Sequence, residues 1–226
     1  MYGYQSAGIA GDKNALLNNV LPGSGWYYPG DLMFVDRNGD GRIDSGIGTA
    51  WYSMGDLKEL GYNYPRFKYA LNLGLDWNNF SVSLFLDGVG NEVRYINDYS
   101  TFGHTNDWSS RRMFDQHAEL GYWTVNNPDA FFPRAYANGK NFSSANDQYL
   151  IDLSHLRIKN LSFGYTLPKS IVQKMKLSNV SFNFSIENLG MIYYNSWLDL
   201  DPQMIRQNAA GYPIQRTYSL GIKLGI

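Results

Sequence analysis

From Arg66 onward the chain alternates. Phe67, Tyr69, Leu71, Leu73, Leu75 and Trp77 hold one parity, and Lys68, Ala70, Asn72, Gly74 and Asp76 hold the other. A period of two predicts a β-strand with one apolar face and one small or polar face. After Asn78 and Asn79 the alternation resumes, with Phe80, Val82, Leu84 and Leu86 set against Ser81, Ser83, Phe85 and Asp87, so the two runs form a hairpin closed by a two-residue turn. Strands return over residues 149–167, where Leu153, His155, Arg157, Lys159, Leu161, Phe163, Tyr165 and Leu167 share one parity and Leu156, Ile158, Asn160 and Gly164 share the other. Pro168 and Lys169 open a short turn. Val180, Phe182, Phe184 and Ile186 then alternate with Asn179, Ser181, Asn183, Ser185 and Glu187, and a last run sets Tyr218, Leu220, Ile222, Leu224 and Ile226 against Thr217, Ser219, Gly221, Lys223 and Gly225.

These runs divide the chain. Residues 1–65 are rich in Gly, Asn, Asp and Pro and read as a loop-rich region, 66–90 as the hairpin, 91–148 as a long loop without periodicity, and 149–226 as the last strands. Loops longer than about 12–15 residues are usually functional or disordered. Long alternating strands suit either an antiparallel sandwich packed on one face or a barrel wall with lipid outside and water inside. Ser, Asn, Lys, Asp and Gly on one parity would suit a wet lumen, and aromatic residues near strand ends would suit an interfacial girdle. The pattern alone leaves both architectures open.

Composition narrows the function classes. Lys+Arg 19 against Asp+Glu 20 leaves a formal charge of −1, with no basic footprint for nucleic acid and no polybasic membrane anchor. With Cys 0 there is no disulfide framework, thiolate metal site or cysteine nucleophile. No apolar run reaches the length of about 18 residues expected of a membrane helix, which says nothing about a barrel. Met1, Tyr2, Gly3, Tyr4 and Gln5 do not begin a signal peptide, so the expectation is a cytoplasmic protein or a piece of a longer one. His104, His117 and His155 lack metal-ligand spacing, and no nucleophile elbow or phosphate-cradling loop is present. Asp199 and Asp201 beside Pro202 form a carboxylate pair of a kind common in turns. No enzyme is expected.

Two groups of residues could carry binding. Asp36, Asn38, Asp40, Arg42 through its carbonyl, and Asp44 match positions one, three, five, seven and nine of a calcium loop, with Gly41 at the sharp turn. Ile47 stands where the bidentate Glu belongs, and a polar turn held by Asx hydrogen bonds is the competing reading. Trp26, Tyr27 and Tyr28, and separately Trp108, offer aromatic platforms for a substrate or a protein lid. Tyr122, Trp123, Phe131 and Phe132 could do the same, but for Trp123 and Phe131 packing of loop on loop is the favoured reading.

An ordered series of short motifs runs through nearly the whole chain. It comprises Pro29-Gly30-Asp31; Asp36-Arg37-Asn38-Gly39-Asp40-Gly41; Gly55-Asp56-Leu57-Lys58; Pro65-Arg66-Phe67; Leu86-Asp87-Gly88-Val89-Gly90; and Tyr122-Trp123. It continues with Asn127-Pro128-Asp129 through Phe132-Pro133-Arg134, Tyr149-Leu150, Leu156-Arg157-Ile158-Lys159-Asn160-Leu161, Glu187-Asn188-Leu189, Asp201-Pro202 and Tyr212-Pro213. In this order they resemble the C-terminal part of the SusC/RagA family of TonB-dependent outer-membrane transporters. Gln203 departs from the family's usual Asp-Pro-Glu, and Ile226 from its usual terminal aromatic. The resemblance implies an all-β fold in which antiparallel strands form the C-terminal part of a transmembrane β-barrel with long extracellular loops. About five or six strands are visible, short of the roughly 8 in the smallest single-chain barrels, so an incomplete barrel is expected. It also implies localisation in the outer membrane, in contact with its lipid. The family imports glycan or peptide nutrients with a SusD-like surface lipoprotein as lid, energised by TonB through an N-terminal plug that this chain lacks; no cofactor is implied, and calcium would enter only through the 36–44 loop. A soluble calcium-stabilised β-sandwich that binds carbohydrate, or a non-functional truncated product, are the alternatives.

Overall fold

The structure, a computed structural model, describes residues 1–23, 26–47, 53–95, 120–134, 144–194, 200–206 and 214–226. Short elements come first in the chain: β1 (Tyr2–Tyr4), β2 (Ser6–Ile9), helix α1 (Lys13–Leu17), β3 (Leu32–Phe34) and β4 (Leu57–Glu59). The hairpin follows as β5 (Phe67–Trp77) and β6 (Phe80–Gly90), then β7 (Val93–Arg94), β8 (Ile151–Asp152), β9 (His155–Thr166), α2 (Lys169–Lys174), β10 (Asn179–Tyr194), α3 (Pro202–Arg206) and β11 (Thr217–Gly225). The five long strands form one antiparallel sheet in the order β11-β10-β9-β6-β5. Asn78 closes the hairpin at φ 52°, a left-handed conformation that Asn tolerates better than most residues.

Register converts the sequence alternation into two surfaces. Residues directly opposite one another in an antiparallel pair project to the same side. One row across the sheet reads Leu73, Leu84, Leu161, Ile186, Tyr218; the next reads Leu75, Val82, Phe163, Phe184, Leu220; a third reads Trp77, Phe80, Tyr165, Phe182, Ile222. Phe80 and Tyr165 stand with ring centroids 4.5 Å apart in that last, aromatic row. Rows on the opposite face read Gly74, Ser83, Ser162, Ser185, Ser219 and Asp76, Ser81, Gly164, Asn183, Gly221, and the Ser83 and Ser162 hydroxyls lie 2.6 Å apart in a hydrogen bond.

No second layer covers the apolar face among the described residues. Leu75 is 66% exposed, Leu220 77% and Ile222 61%. Full burial of one such side chain is worth about 1.5–3 kcal/mol, so three rows of them left in water would forfeit the main driving force for folding. A sandwich would have placed a partner sheet here. The dimensions suit a bilayer instead: the 11 residues of β5 extend about 34 Å at about 3.4 Å per residue. A tilt of about 45° projects that length to about 24 Å, close to the apolar band of about 25 Å in outer-membrane barrels. Within the described residues β5 pairs only with β6 and β11 only with β10, so the sheet is an open wall.

One stretch corrects the sequence reading. The alternation put His155, Arg157 and Lys159 on the same side as Leu161, Phe163 and Tyr165. In the structure Phe85 pairs with Asn160 but Leu86 with Ile158, so Lys159 is an extra residue in β9 and the phase inverts there. Leu156 and Ile158 thus continue the apolar face, while His155 and Arg157 join the polar one. Such a bulge re-aims side chains without ending the strand. The charges avoid the apolar face by this one-residue shift.

Above the bulge three neighbouring strands are tied together by a close approach. The Tyr69 ring lies over Gly88, where a Cβ would come within 2.1 Å of the ring, and its hydroxyl donates to the His155 carbonyl across β6 at 3.0 Å. Beyond this point the short elements and loops form a packed cap with its own buried clusters, one of them Leu32, Phe132 and Tyr149 and another Ala10, Leu16 and Met33. The N-terminal segment is woven into residues 144–148: Tyr4 N–H donates to the Ala145 carbonyl at 2.9 Å, Ser6 N–H to Asp147 at 2.8 Å, and Lys58 pairs with Asp147 at 2.6 Å.

The two faces predict unequal tolerance. With the wall in a complete barrel, Leu73→Arg or Leu84→Arg is expected to cost about 2–4 kcal/mol near the membrane midplane, measured by denaturant unfolding in lipid. Asn72→Arg and Ser83→Arg, on the polar face, are expected to change stability far less; equal costs on both faces would contradict the assignment.

Candidate functional site

The functional features lie in the cap and along the upper edge of the polar face. The 36–44 loop turns on its own side chains. Asp36 accepts the Gly39 and Gly41 N–H groups at 2.7 and 2.9 Å, Asn38 Oδ1 accepts Asp40 N–H at 3.1 Å, and Asp40 accepts Arg42 N–H at 2.9 Å. Asp44 accepts Gly46 N–H at 2.7 Å. Arg42 and Ile47 are exposed. The oxygens spaced for a cation thus serve as acceptors for the loop's amides, as in Asx turns. No group of three or more His, Asp or Glu side chains converges anywhere among the described residues.

What anchors this loop is a residue that the spacing argument passed over. Asp56 is fully buried, and its carboxylate accepts Arg37 N–H at 2.7 Å, Asn38 N–H at 3.4 Å and Asp44 N–H at 2.9 Å. The Asp56 N–H returns a bond to the Asp44 carbonyl at 3.0 Å. A buried carboxylate needs such donors, and these come from both ends of the loop. The Gly55-Asp56-Leu57-Lys58 motif is therefore the clasp of the Asp/Asn/Gly motif before it.

The aromatic candidates separate. Trp26 is 82% exposed and Tyr28 45%, with the Arg134 guanidinium 5.1 Å from the Tyr28 ring centre. Tyr27 instead packs against the Ala10, Leu16 and Met33 cluster, and burial with the nearby Asp31 carboxylate raises its pKa. Trp108 lies outside the described residues, as do His104 and His117. Trp123 and Phe132 are buried, so packing is their role. The Trp123 ring seats on Gly30, whose φ of 94° and close approach exclude a side chain: a Cβ there would meet the ring at 2.4 Å. This explains the glycine of the Pro29-Gly30-Asp31 motif.

At the centre of the cap stands Tyr149, fully buried. Its ring stacks on Phe132 at 6.0 Å and meets Phe131 edge-on at 5.4 Å. Its hydroxyl donates to the Phe131 carbonyl at 2.8 Å, and its N–H donates to Asn146 at 3.1 Å. Burial raises its pKa, and the neighbouring Tyr95 adds to the effect. Burial likewise raises Tyr95 and pushes Tyr122 up to about 12.

A second polar centre joins wall and loop. Arg157, 3% exposed, forms an ion pair with Asp201 at the edge of a cavity of about 220 Å³ that is also lined by Asn188, Met191 and Arg216. Sequence reasoning assigned Asp201 to a turn and gave Arg157 no role. The signal was present as charged residues sharing parity with Leu161, a conflict that a bulge resolves. His155, the third histidine, is buried with Nδ1 2.7 Å from the Leu153 carbonyl, which is a structural arrangement.

An uncovered apolar face on an open antiparallel wall, with a polar reverse face and a folded loop cap at one end, defines a segment of a transmembrane β-barrel. Comparison with known proteins specifies the kind. No known family profile matches the chain. It is 28% identical over 237 residues to TonB-dependent receptor P3 of Formosa agariphila, covering 99% of this chain and 22% of that protein. It is 27% identical over 210 residues to TonB-dependent receptor P26 of the same organism, covering 86% of this chain and 19% of that protein. The chain therefore spans about a fifth of the length of these curated relatives. Among solved structures, the RagAB peptide importer in its open-open state superposes over 100% of this chain and 22% of that one, with a TM-score of 0.62 and 18% identity. Its closed-closed state gives a TM-score of 0.63 at 19% identity over 100% of this chain and 23% of that one. The resemblance drawn from the ordered motifs holds along the chain: it is similar in sequence to TonB-dependent receptors and in fold to part of a RagAB importer chain. These relatives are receptors and importers, not enzymes.

The buried tyrosines give a pH prediction. A folded-state pKa above the free value of about 10 means that the unfolded chain releases protons first as pH rises. This contribution to cap stability is complete below about pH 10 and is lost as pH climbs toward the folded value, about 12 for Tyr122. Ultraviolet titration of phenolate is expected to show a late fraction that ionises together with loss of tertiary structure. Ionisation of every tyrosine near the free value with the fold intact would contradict the buried cluster.

Proposed function

We propose that this chain forms part of the wall and extracellular loop cap of a TonB-dependent outer-membrane importer of oligomeric nutrients. The observation that carries the reading is the uncovered apolar face, continuous over five strands in register and of a height that fits an outer membrane. Likeness to TonB-dependent receptors along 99% of the chain supports it. In this reading the Ser, Asn and Gly rows line a wet lumen and the cap faces outward. Trp26 and Tyr28 contact cargo or lid, with Tyr27 packed against the cluster behind them; Trp108, outside the described residues, is proposed for the same role. A SusD-like lipoprotein closes over the loops, and TonB acts through a plug outside this chain. Cargo is a glycan or a peptide. The fold likeness to RagAB, at 18–19% identity, supports the architecture and does not choose between them.

The test is fractionation of cells producing the complete protein, followed by growth of a deletion strain on single glycans and peptides. Recovery in the outer membrane, resistance to carbonate extraction and loss of growth on one oligomer class are expected. Recovery as a soluble protein would favour the carbohydrate-binding sandwich.

For the 36–44 loop the supported reading is a self-braced turn clasped by Asp56, in which Asp36, Asn38 and Asp40 already accept amides of the loop itself. Calorimetry is expected to show no calcium site tighter than about 10 micromolar, the weak edge of sensor sites. A tight site abolished by Asp40→Ala would make the loop a metal centre.

A further inference from the structure

The connection between β10 and β11 does not simply cross from strand to strand. Among its described residues, 200–206 pack against the wall on the polar side. Arg157 lies in a row with Ala70, Asp87 and Met191, which the bulge at Lys159 turns to the polar face. Arg157 Nη2 donates to Asp201 Oδ2. The other Asp201 oxygen accepts Gln203 N–H at 2.9 Å, and its carbonyl accepts Met204 and Ile205 N–H at 2.9 and 3.1 Å, so the residue held by Arg157 also starts α3. Ile205 is fully buried in a cluster with Ile151 and Leu153, against which Tyr194 and Leu200 pack. Tyr194 pairs with His155, on the same polar side. An ionic and an apolar attachment together hold this segment over the upper end of the polar face, with the 220 Å³ cavity beside the ion pair.

We propose that residues 200–206 are a fixed constriction of the barrel lumen, latched to the wall by the Arg157–Asp201 ion pair, and that this latch sets the size limit of solutes passing along the polar face. The proposal rests on the reading of that face as a lumen. Buried and hydrogen-bonded ion pairs are most sensitive to removal of one partner, which strands the other charge. Asp201→Asn keeps an acceptor for Gln203 N–H while removing the charge, so it isolates the latch from the helix start.

These 226 residues contain no cysteine, so any native thiol elsewhere in the complete protein is replaced by serine before paired labels are introduced here. With Gln203→Cys and Ser185→Cys spin-labelled in the complete protein in bilayers, one narrow distance distribution is expected in the parent. Loss of that narrow peak is expected in Asp201→Asn and Arg157→Met, with retention in Arg157→Lys. In parallel, outer-membrane entry of uncharged oligosaccharides of graded size is expected to shift to larger members in the two latch-breaking variants only. An unchanged peak in Asp201→Asn, or a lost peak with an unchanged size limit, would overturn the proposal. Should either single variant fail to accumulate, R157M/D201N removes both charges and is expected to show the same loss and the same shift. Failure of the lumen reading shows separately, as lipid contact of the Ser185 label in the parent, and would remove the constriction with it.

Discussion

Strand register is the constraint on which the rest of this structure depends. Five strands alternate apolar and polar residues, but alternation within a strand makes a surface only if neighbours are aligned to within one residue, because a slip of one sends every side chain to the opposite face. Here the alignment runs unbroken from Leu73 through Leu84, Leu161 and Ile186 to Tyr218. Backbone amides are then satisfied between strands while the side chains present hydrocarbon outward. That combination is what a membrane allows, since unpaired backbone groups in lipid cost several kcal/mol each.

The same constraint explains the places where register is broken. Lys159 is extra in β9 relative to β6, and β10 takes further irregularities between Glu187 and Gly190 and between Met191 and Tyr193. All lie at one end of the sheet, where it passes into the cap. Below them the rows are regular and uncharged on the apolar side; above them Arg157 is free to meet Asp201, and His155 is buried against the loop before β9. The bulges mark the boundary between a surface built for lipid and one built for packing against protein.

Much of the wall was legible in the sequence. Period two from Phe67 to Trp77 and from Phe80 to Leu86, joined at Asn78 and Asn79, gave the hairpin with its faces, because both the pattern and the turn are local. The inversion at Lys159 was not legible from periodicity, since one inserted residue leaves each half of the strand regular; its only trace was Arg157 and Lys159 in phase with Leu161. The cap was legible as motifs and not as contacts. Nothing local states that Tyr149 stacks on Phe132, that Trp123 seats on Gly30, or that Asp56 collects amides from both ends of the 36–44 loop. Spacing also leaves the role of Asp36, Asn38 and Asp40 open between cation and turn, because alternating acceptors that could converge on a cation also close Asx turns.

The most direct measurement of the central claim is site-by-site accessibility along β5. Single labels at each position from Phe67 to Trp77, with the chain in its complete barrel in bilayers, would be probed by a lipid-soluble and by a water-soluble quencher. Quenching is expected to alternate with period two, with lipid contact at Leu71, Leu73 and Leu75 and water contact at Ala70, Asn72 and Gly74. Water access at every position, or protection of both parities, would contradict a lipid-facing wall.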